Sequence, residues 1–337
     1  MKLTSQERDA LVAVVKSFPR RRVVVLGDLV ADEFVYGEIA RVSREAPVLI
    51  LKQREKQIVP GGGANAANNL AELGAQVIPV GAVGNDEPGE ALLRYFRHKS
   101  ISTRGILRVR SYATPTKSRV LGGLTHWQRQ QIVRVDREPA SPLSREVRRK
   151  LTRHAAGLLS SSAGLLISDY GYGATDPEEA ETLRRKTAKN SLPITLDSRY
   201  KMLAYSKLTA ATPNEPEIEE AFGRKIGNNL DLLHRLGRRA LRQMSLHALL
   251  VTRGRDGMVL FEPRQKPRVI PIFGSDQVAD VTGAGDTVIA AFTLALAAGA
   301  NFLQAAQLSN IAGGLVVMKR GTATVTGREL EEAIRTA

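Results

Sequence analysis

The 337-residue chain contains no cysteine, which excludes a disulfide framework, a thiolate metal site and a cysteine nucleophile. Aromatic residues make up only 5%, with one tryptophan, so platforms for stacking bases are poorly supplied. No apolar stretch reaches the roughly 18 residues that a membrane-spanning helix needs. The five histidines show no metal-ligand spacing, and nothing resembles a Ser/His/Asp assembly. The first ten residues lack the apolar centre of a signal peptide. A cytoplasmic protein without membrane attachment is therefore expected.

What is plentiful is positive charge, a net +15 with a pI near 10.2. The cations are dispersed over Arg20–Arg22, Arg145/Arg148/Arg149/Arg153, Arg184/Arg185/Lys186 and Arg235/Arg238/Arg239/Arg242. The second and fourth clusters follow i, i+3, i+4 spacing, the pattern of solvated helix faces. With few aromatics beside them, they favour an anionic small substrate such as a sugar phosphate over nucleic acid. Hydrophobic content of 43% and charged content of 25% are those of a globular protein that buries a sizeable core.

Apolar runs alternate with amphipathic stretches, which predicts an α/β fold with a mainly parallel sheet covered by helices on both faces. Four runs end in polar residues: Val23–Leu26 before Gly27-Asp28, Leu165–Ile167 before Ser168-Asp169, Ile194–Leu196 before Asp197, and Leu249–Val251 before Thr252. Ligands of open α/β sheets sit outside the carboxyl ends of strands, so these termini mark a candidate site edge. Taken singly, each is equally a helix cap. Residues 34–59 and 105–136 break the pattern, reading as short strands without helices. A small antiparallel sheet projecting as a lid is expected from them, ordinary edge strands being the alternative. No repeat or linker divides the chain, so residues 1–337 are read as one domain with this appendage.

Asp280-Val-Thr-Gly-Ala-Gly-Asp286 runs into the uncharged stretch 288–298. A glycine turn opening a buried helix leaves backbone N–H groups unpaired at the positive end of the helix dipole. A carboxylate in that first turn can take a proton from an attacking hydroxyl. Cradle plus base suits phosphoryl transfer to an alcohol; a plain N-cap after a tight turn is the other reading. Pro60-Gly-Gly-Gly-Ala-Asn65 lets backbone approach a ligand closely and offers amides to hydroxyls. It is neither a P-loop nor a dinucleotide fingerprint. Asn214 and Glu217, three apart, either cap a helix or offer oxygens to hydrated Mg²⁺. Thr252-Arg-Gly-Arg-Asp-Gly257 fits a nucleotide phosphate or ribose, or else a β-turn.

Together these stretches resemble the ribokinase-like carbohydrate kinase family, over nearly the whole chain. Asp280–Asp286 and Gly61–Asn65 look like its two glycine motifs, Asn214 and Glu217 like its Asn-x-x-Glu element, and Thr252, Gly254 and Gly257 like its nucleotide loop. Within the family, the chain is most similar to the kinase domain acting on D-glycero-D-manno-heptose 7-phosphate. That similarity lies in Gly27-Asp28 with Asp32, in stretches 41–47, 114–120 and 134–136, and in Ser168-Asp-Tyr170. Tyr172 and Arg199 stand where that subfamily usually has lysines, and residues 122–127 look like an expanded turn. No second, nucleotidyltransferase part is expected.

The resemblance implies a three-layer α/β/α fold with a β-sheet lid, and ATP, Mg²⁺ and, as in some relatives, a monovalent cation such as K⁺. It implies Asp286 as base, with the backbone of Gly283, Ala284 and Gly285 holding the transferring phosphoryl. Asp28, Asp32, Gly62, Gly63, Asn65 and Asp169 are expected to bind the sugar, and Lys117 and Arg119 its phosphate. Asn214, Arg199, Thr252, Gly254 and Gly257 are expected at ATP, and Asn214 with Glu217 at Mg²⁺ through water. Asp280 is expected to order the turn. Another sugar or a nucleoside is the alternative acceptor, and a non-catalytic sugar-phosphate or nucleic-acid binder the alternative class; a hydrophobic lid face would favour a homodimer through the lid, which its weak alternation leaves open.

Overall fold

The apolar runs are strands, seen in a computed structural model that describes residues 3–123, 130–187, 191–274, 280–319 and 321–337. In chain order the strands are β1 (Arg22–Gly27), β2 (Leu29–Val42), β3 (Leu49–Gly62), β4 (Gln76–Val83), β5 (Ile106–Arg108), β6 (Thr116–Gly123) and β7 (Gln130–Arg137). They continue as β8 (Gly164–Asp169), β9 (Ile194–Ser198), β10 (Ala210–Ala211), β11 (Ala248–Thr252), β12 (Met258–Phe261) and β13 (Arg268–Ile270). The helices are α1 (Ser5–Lys16), α2 (Gly63–Glu72), α3 (Glu87–His98), α4 (Arg145–Leu158), α5 (Pro177–Thr187), α6 (Glu215–Phe222), α7 (Leu230–Gln243), α8 (Ala284–Ala297), α9 (Phe302–Val317) and α10 (Gly327–Thr336).

Nine strands form one sheet in the order β13-β12-β11-β10-β9-β8-β1-β4-β5. From β11 to β5 every pairing is parallel; β12 and β13 add antiparallel edge strands. Alternation along each strand sends its side chains to opposite faces. Val23 and Val25 of β1 pack with α1, α2, α8, α9 and α10. Val24 and Leu26 pack on the other face with α4, α5, α6 and α7. The result is an α/β/α sandwich. Because β1, β8, β9, β10 and β11 are parallel, their polar termini fall on one edge, as the four run endings suggested. The arginines of α7 are exposed, and most of those of α4 are too, as their helical spacing predicted.

A second sheet has the order β3-β2-β6-β7. It takes in more of the first lid segment than expected: β2 begins at Leu29 and β3 runs on to Gly62. The second segment needs a correction at its start. Ile106–Arg108 pairs in parallel with β4 at the edge of the main sheet, so it is not part of the lid. Gly105 permits this, because a Cβ there would lie 2.4 Å from the Pro79 carbonyl oxygen. The lid half begins at Thr116. Of the expanded turn, Gly122 and Gly123 end β6, and residues 124–127 lie outside the described residues.

Register decides what the lid presents. Asp32 and Phe34 of β2 lie opposite Lys117 and Arg119 of β6, which in turn face Asp136 and Arg134 of β7. In-register residues share a face, so these charged side chains occupy one side of the lid.

Candidate active site

At the head of α8, Gly283 is the N-cap with φ 78°, a left-handed conformation that glycine adopts without strain. A Cβ there would also come within 2.7 Å of the Asn65 amide nitrogen. Asp280 ties the turn, its carboxylate accepting the Thr282 N–H at 2.8 Å and the Gly321 N–H at 3.1 Å. Among the expected cradle amides one correction arises: the Ala284 N–H is already bonded to the Val281 carbonyl. The N–H groups of Gly283, Gly285 and Asp286 make no bond among the described residues. These are the orphan donors of a helix start, and they carry the positive end of the helix dipole.

Asp286 is 5% exposed. Its Oδ2 accepts from Asn65 Nδ2 at 2.8 Å and its Oδ1 from the Tyr170 hydroxyl at 3.0 Å. Burial pushes its carboxyl up to about 7, aided by repulsion from Asp197, while the two hydrogen bonds pull it down. A buried carboxylate that titrates near neutrality is suited to accept a proton from an alcohol and release it later.

Several residues expected at the sugar turn out to be occupied by the protein. Both oxygens of Asp28 are taken by backbone N–H groups of Tyr170, Tyr172 and Ala174, at 2.8, 3.0 and 2.9 Å. It builds the turn after β8 instead of facing a hydroxyl, and burial pushes its carboxyl up to about 6. Asp169 accepts from the Gly171 N–H, the Ser198 hydroxyl and the Tyr205 hydroxyl, joining the ends of β8 and β9. Asn65 is fully buried and spends its amide on Asp286. Gly62 and Gly63 open no space for a ligand. A Cβ on Gly62 would meet Val30 at 2.9 Å, and one on Gly63 the Asp28 carbonyl oxygen, also at 2.9 Å. Their glycines serve contact between β2, α2 and the Tyr170 turn.

On the lid, Arg119 is likewise engaged. Its guanidinium bonds Asp32 at 2.8 Å, with side chains only 13% and 8% exposed. That pair removes both Asp32 and Arg119 from the free groups expected to grip sugar and phosphate. Lys117 differs. Its ammonium lies 4.9 Å from the centre of the Tyr170 ring and forms no ion pair within 4 Å among the described residues. Burial, together with nearby Arg199 and Arg134, holds its pKa below the usual lysine value, against the pull of Asp32 and Asp286. Tyr170 thus stands between the lid cation and the carboxylate of α8.

Asn214, Thr252, Gly254 and Gly257 do come together. They line one cavity of about 300 Å³ with Ala284 and Gly285 of the cradle. Its apolar walls include Met258, Val288 and Val317, and Gly313 and Gly314 of α9 complete it. Asn214 and Glu217 form a reciprocal capping box at 2.8 and 2.9 Å, so the capping reading of the pair holds. Glu217 is also electrostatically coupled to Asp197. Burial and that repulsion push the Asp197 carboxyl up to about 7, with exposed Arg199 opposing. Burial raises Glu217 too. These hard oxygens fit a Mg²⁺ bound by one or two carboxylates, ligand phosphates and water. Among the described residues, no group of three His, Asp or Glu side chains forms a metal cage.

Comparison with known proteins bears on what such a site belongs to. The profile of the "pfkB family carbohydrate kinase" matches residues 20–327. The chain belongs to this family. It is therefore a carbohydrate kinase, transferring phosphoryl from ATP to a sugar. Among curated proteins it is 34% identical over 332 residues to the bifunctional protein HldE of Pelobacter propionicus, covering 98% of this chain and 67% of that protein. With HldE of Geobacter sulfurreducens the identity is 37% over 308 residues, covering 91% and 61%. The chain spans about two thirds or less of the length of such relatives. The pfkB fold recurs in solved structures. Ribokinase of Arabidopsis thaliana, complexed with ribose and ATP, superposes with a TM-score of 0.71 at 19% identity, covering 94% of this chain and 99% of that one. Phosphofructokinase-2 of Escherichia coli, with substrates and products, gives 0.73 at 18%, with the same coverage.

Three participants were not on the expected roster. Tyr170 was visible only as part of a matching stretch, and Asp197 only as a strand terminus. The walls of the cavity beside Thr252 and Gly257 come from hydrophobic residues indistinguishable from core. A Gly313–Gly314 pair inside an uncharged helix was the available signal, since a Cβ on Gly314 would sit 2.3 Å from the Phe273 carbonyl oxygen.

Proposed function

We propose that this kinase phosphorylates a sugar already bearing a phosphate, D-glycero-D-manno-heptose 7-phosphate, at its anomeric hydroxyl. The observation carrying the phosphate is Lys117, a largely buried cation with no carboxylate within 4 Å among the described residues, suspended over Tyr170 on the path to Asp286. The sugar's identity and the anomeric position rest on the likeness of the lid and strand-end stretches to that subfamily and on the HldE relatives. Tyr172, in place of a lysine, donates to Glu138 at 3.1 Å, so Lys117 carries more of the charge neutralisation here.

In this reading Asp286 takes the proton of the attacking hydroxyl, its carboxylate aimed by Asn65 and Tyr170. The N–H groups of Gly283, Gly285 and Asp286 receive the negative charge that gathers on the phosphoryl oxygens. The cavity beside Thr252 and Gly257 holds the nucleoside, with Arg199 toward its phosphates. Mg²⁺ near Asp197 and Glu217 would neutralise ATP phosphates. K⁺ beside Asp280 belongs to the same proposal. ADP release measured against heptose 7-phosphate, fructose phosphates, ribose and nucleosides is the test. Heptose 7-phosphate is expected to give the highest kcat/KM; a clear preference for an unphosphorylated sugar would overturn the assignment.

The lid leaves Val42, Val48, Val133 and Val135 exposed by 58, 55, 46 and 56%. We propose that a second copy covers these apolar side chains. Val133→Glu with Val135→Glu is expected to halve the mass seen by light scattering. A monomeric parent protein would exclude the dimer.

A further inference from the structure

An asparagine amide presents an oxygen and an NH₂ of nearly equal size and opposite polarity. Beside a carboxylate, only the NH₂ is tolerable. Asn65 points its NH₂ at Asp286, and something must hold it that way round.

The holding group is Asn69, one turn further along α2. Its Nδ2 donates to the backbone carbonyl of Asn65 at 2.9 Å and to the Asn65 side-chain oxygen at 3.1 Å. A backbone carbonyl only accepts, so the Asn69 amide cannot be the other way round. Its Oδ1 therefore faces Thr287, whose hydroxyl donates to it at 2.8 Å. The alternative acceptor for that hydroxyl, the Gly283 carbonyl, is more distant at 3.3 Å. Every link now has one possible direction, running from Thr287 through Asn69 and Asn65 to Asp286. All four residues are buried, Asn65 and Thr287 completely. Buried polar chains of this kind are stiff, because a reversed member leaves unpaired groups without water to compensate.

We propose that Asn69 and Thr287 are positioning residues, acting on the base through Asn65 by fixing the polarity of its amide. The chain starts and ends on α8, since Thr287 directly follows Asp286. It therefore returns through α2 to grip the carboxylate from the opposite side. Neither residue reaches the reacting atoms. This inference rests on the proposal that Asp286 is the base.

The test uses Asn69→Leu and Thr287→Val, with Thr287→Ser as the conservative control. In Asn69→Leu the Asn65 oxygen loses its donor and the amide is free to turn its oxygen toward Asp286. The expected results are a kcat about tenfold lower, the scale of one charge-assisted hydrogen bond, and KM values within about twofold of the parent. The acidic limb of the kcat–pH profile should move upward by about one unit. Thr287→Val should move the limb the same way by less, and Thr287→Ser should restore it. If Asn69→Leu fails to fold, the threonine pair carries the test alone. A limb that stays put in the folded variants, whatever their melting temperatures, overturns the relay. Failure of the underlying assignment looks different: Asp286→Asn would retain turnover.

Discussion

Asp286→Asn is expected to lower kcat by about 10²–10⁴-fold, roughly 3–5 kcal/mol of barrier, while ATP still binds. The amide keeps the shape of the side chain and can still accept from Asn65, but it cannot take a proton. The cavity proposed for the nucleotide is lined by Ala284 and Gly285 and not by Asp286, so the nucleotide affinity should persist. Stopped-flow turnover and calorimetric ATP titration check the two halves separately, and near-parental kcat would remove Asp286 from the base role. The parent's kcat/KM should also fall below about pH 7, where burial keeps this carboxyl protonated. Stability runs the opposite way. Asp28, Asp197 and Asp286 hold protons in the fold at pH values where the unfolded chain has released them. Their raised values contribute stability that is complete below about pH 4 and is lost as pH rises through about 6 to 7. Asp286→Asn should therefore melt above the parent at pH 8, with the gap closing toward pH 4.

The second large effect is expected in stability and not in catalysis. Arg119→Ala leaves buried Asp32 without its bonded cation, Lys117 and Arg134 acting on it only from a distance, a change that typically costs about 3–5 kcal/mol. Chemical denaturation should show the loss. Adding Asp32→Asn should recover part of it, because the orphaned charge is then gone. Lys117→Ala, two residues along the same strand, strands no carboxylate. It should leave the denaturation midpoint almost unchanged and raise KM for a phosphorylated sugar, with little effect on an unphosphorylated one. Equal KM changes for both acceptors would remove Lys117 from the phosphate site. Sequence position alone gave Lys117 and Arg119 one role; the Arg119–Asp32 ion pair, formed although Lys117 is the residue in register with Asp32, separates them.

The sheet, its helical layers and the edge carrying the strand termini could be read from periodicity, because burial on two faces imposes alternation that survives in the residue order. The glycine turn before α8 was equally plain, since a positive φ calls for that residue. What stayed hidden were partnerships across distance. Asp28 and Asp169 looked like ligand groups at strand ends, yet backbone amides from another loop consume Asp28, and the Ser198 and Tyr205 hydroxyls with the Gly171 N–H occupy Asp169. Such amides belong to every residue and leave no mark in the sequence. Asn65 looked like a sugar ligand for the same reason: an amide near a glycine turn has no way to announce that a carboxylate from residue 286 will claim it. The cavity beside Thr252 and Gly257 was invisible because its walls use the same valines and methionine as the core. The start of the second lid segment was misplaced because a three-residue strand carries too little pattern to show which sheet it joins.

Asp28 is the single residue between β1 and β2, and β3 passes without interruption into α2, which carries Asn65. The small sheet is therefore a cantilever, joined at its root to Asp28, which holds the Tyr170 turn, and to the helix whose Asn65 holds Asp286. Travel in such a beam grows with distance from the clamp. A displacement of the outer strand ends would therefore disturb the root, where Asn65 meets Asp286, least of all.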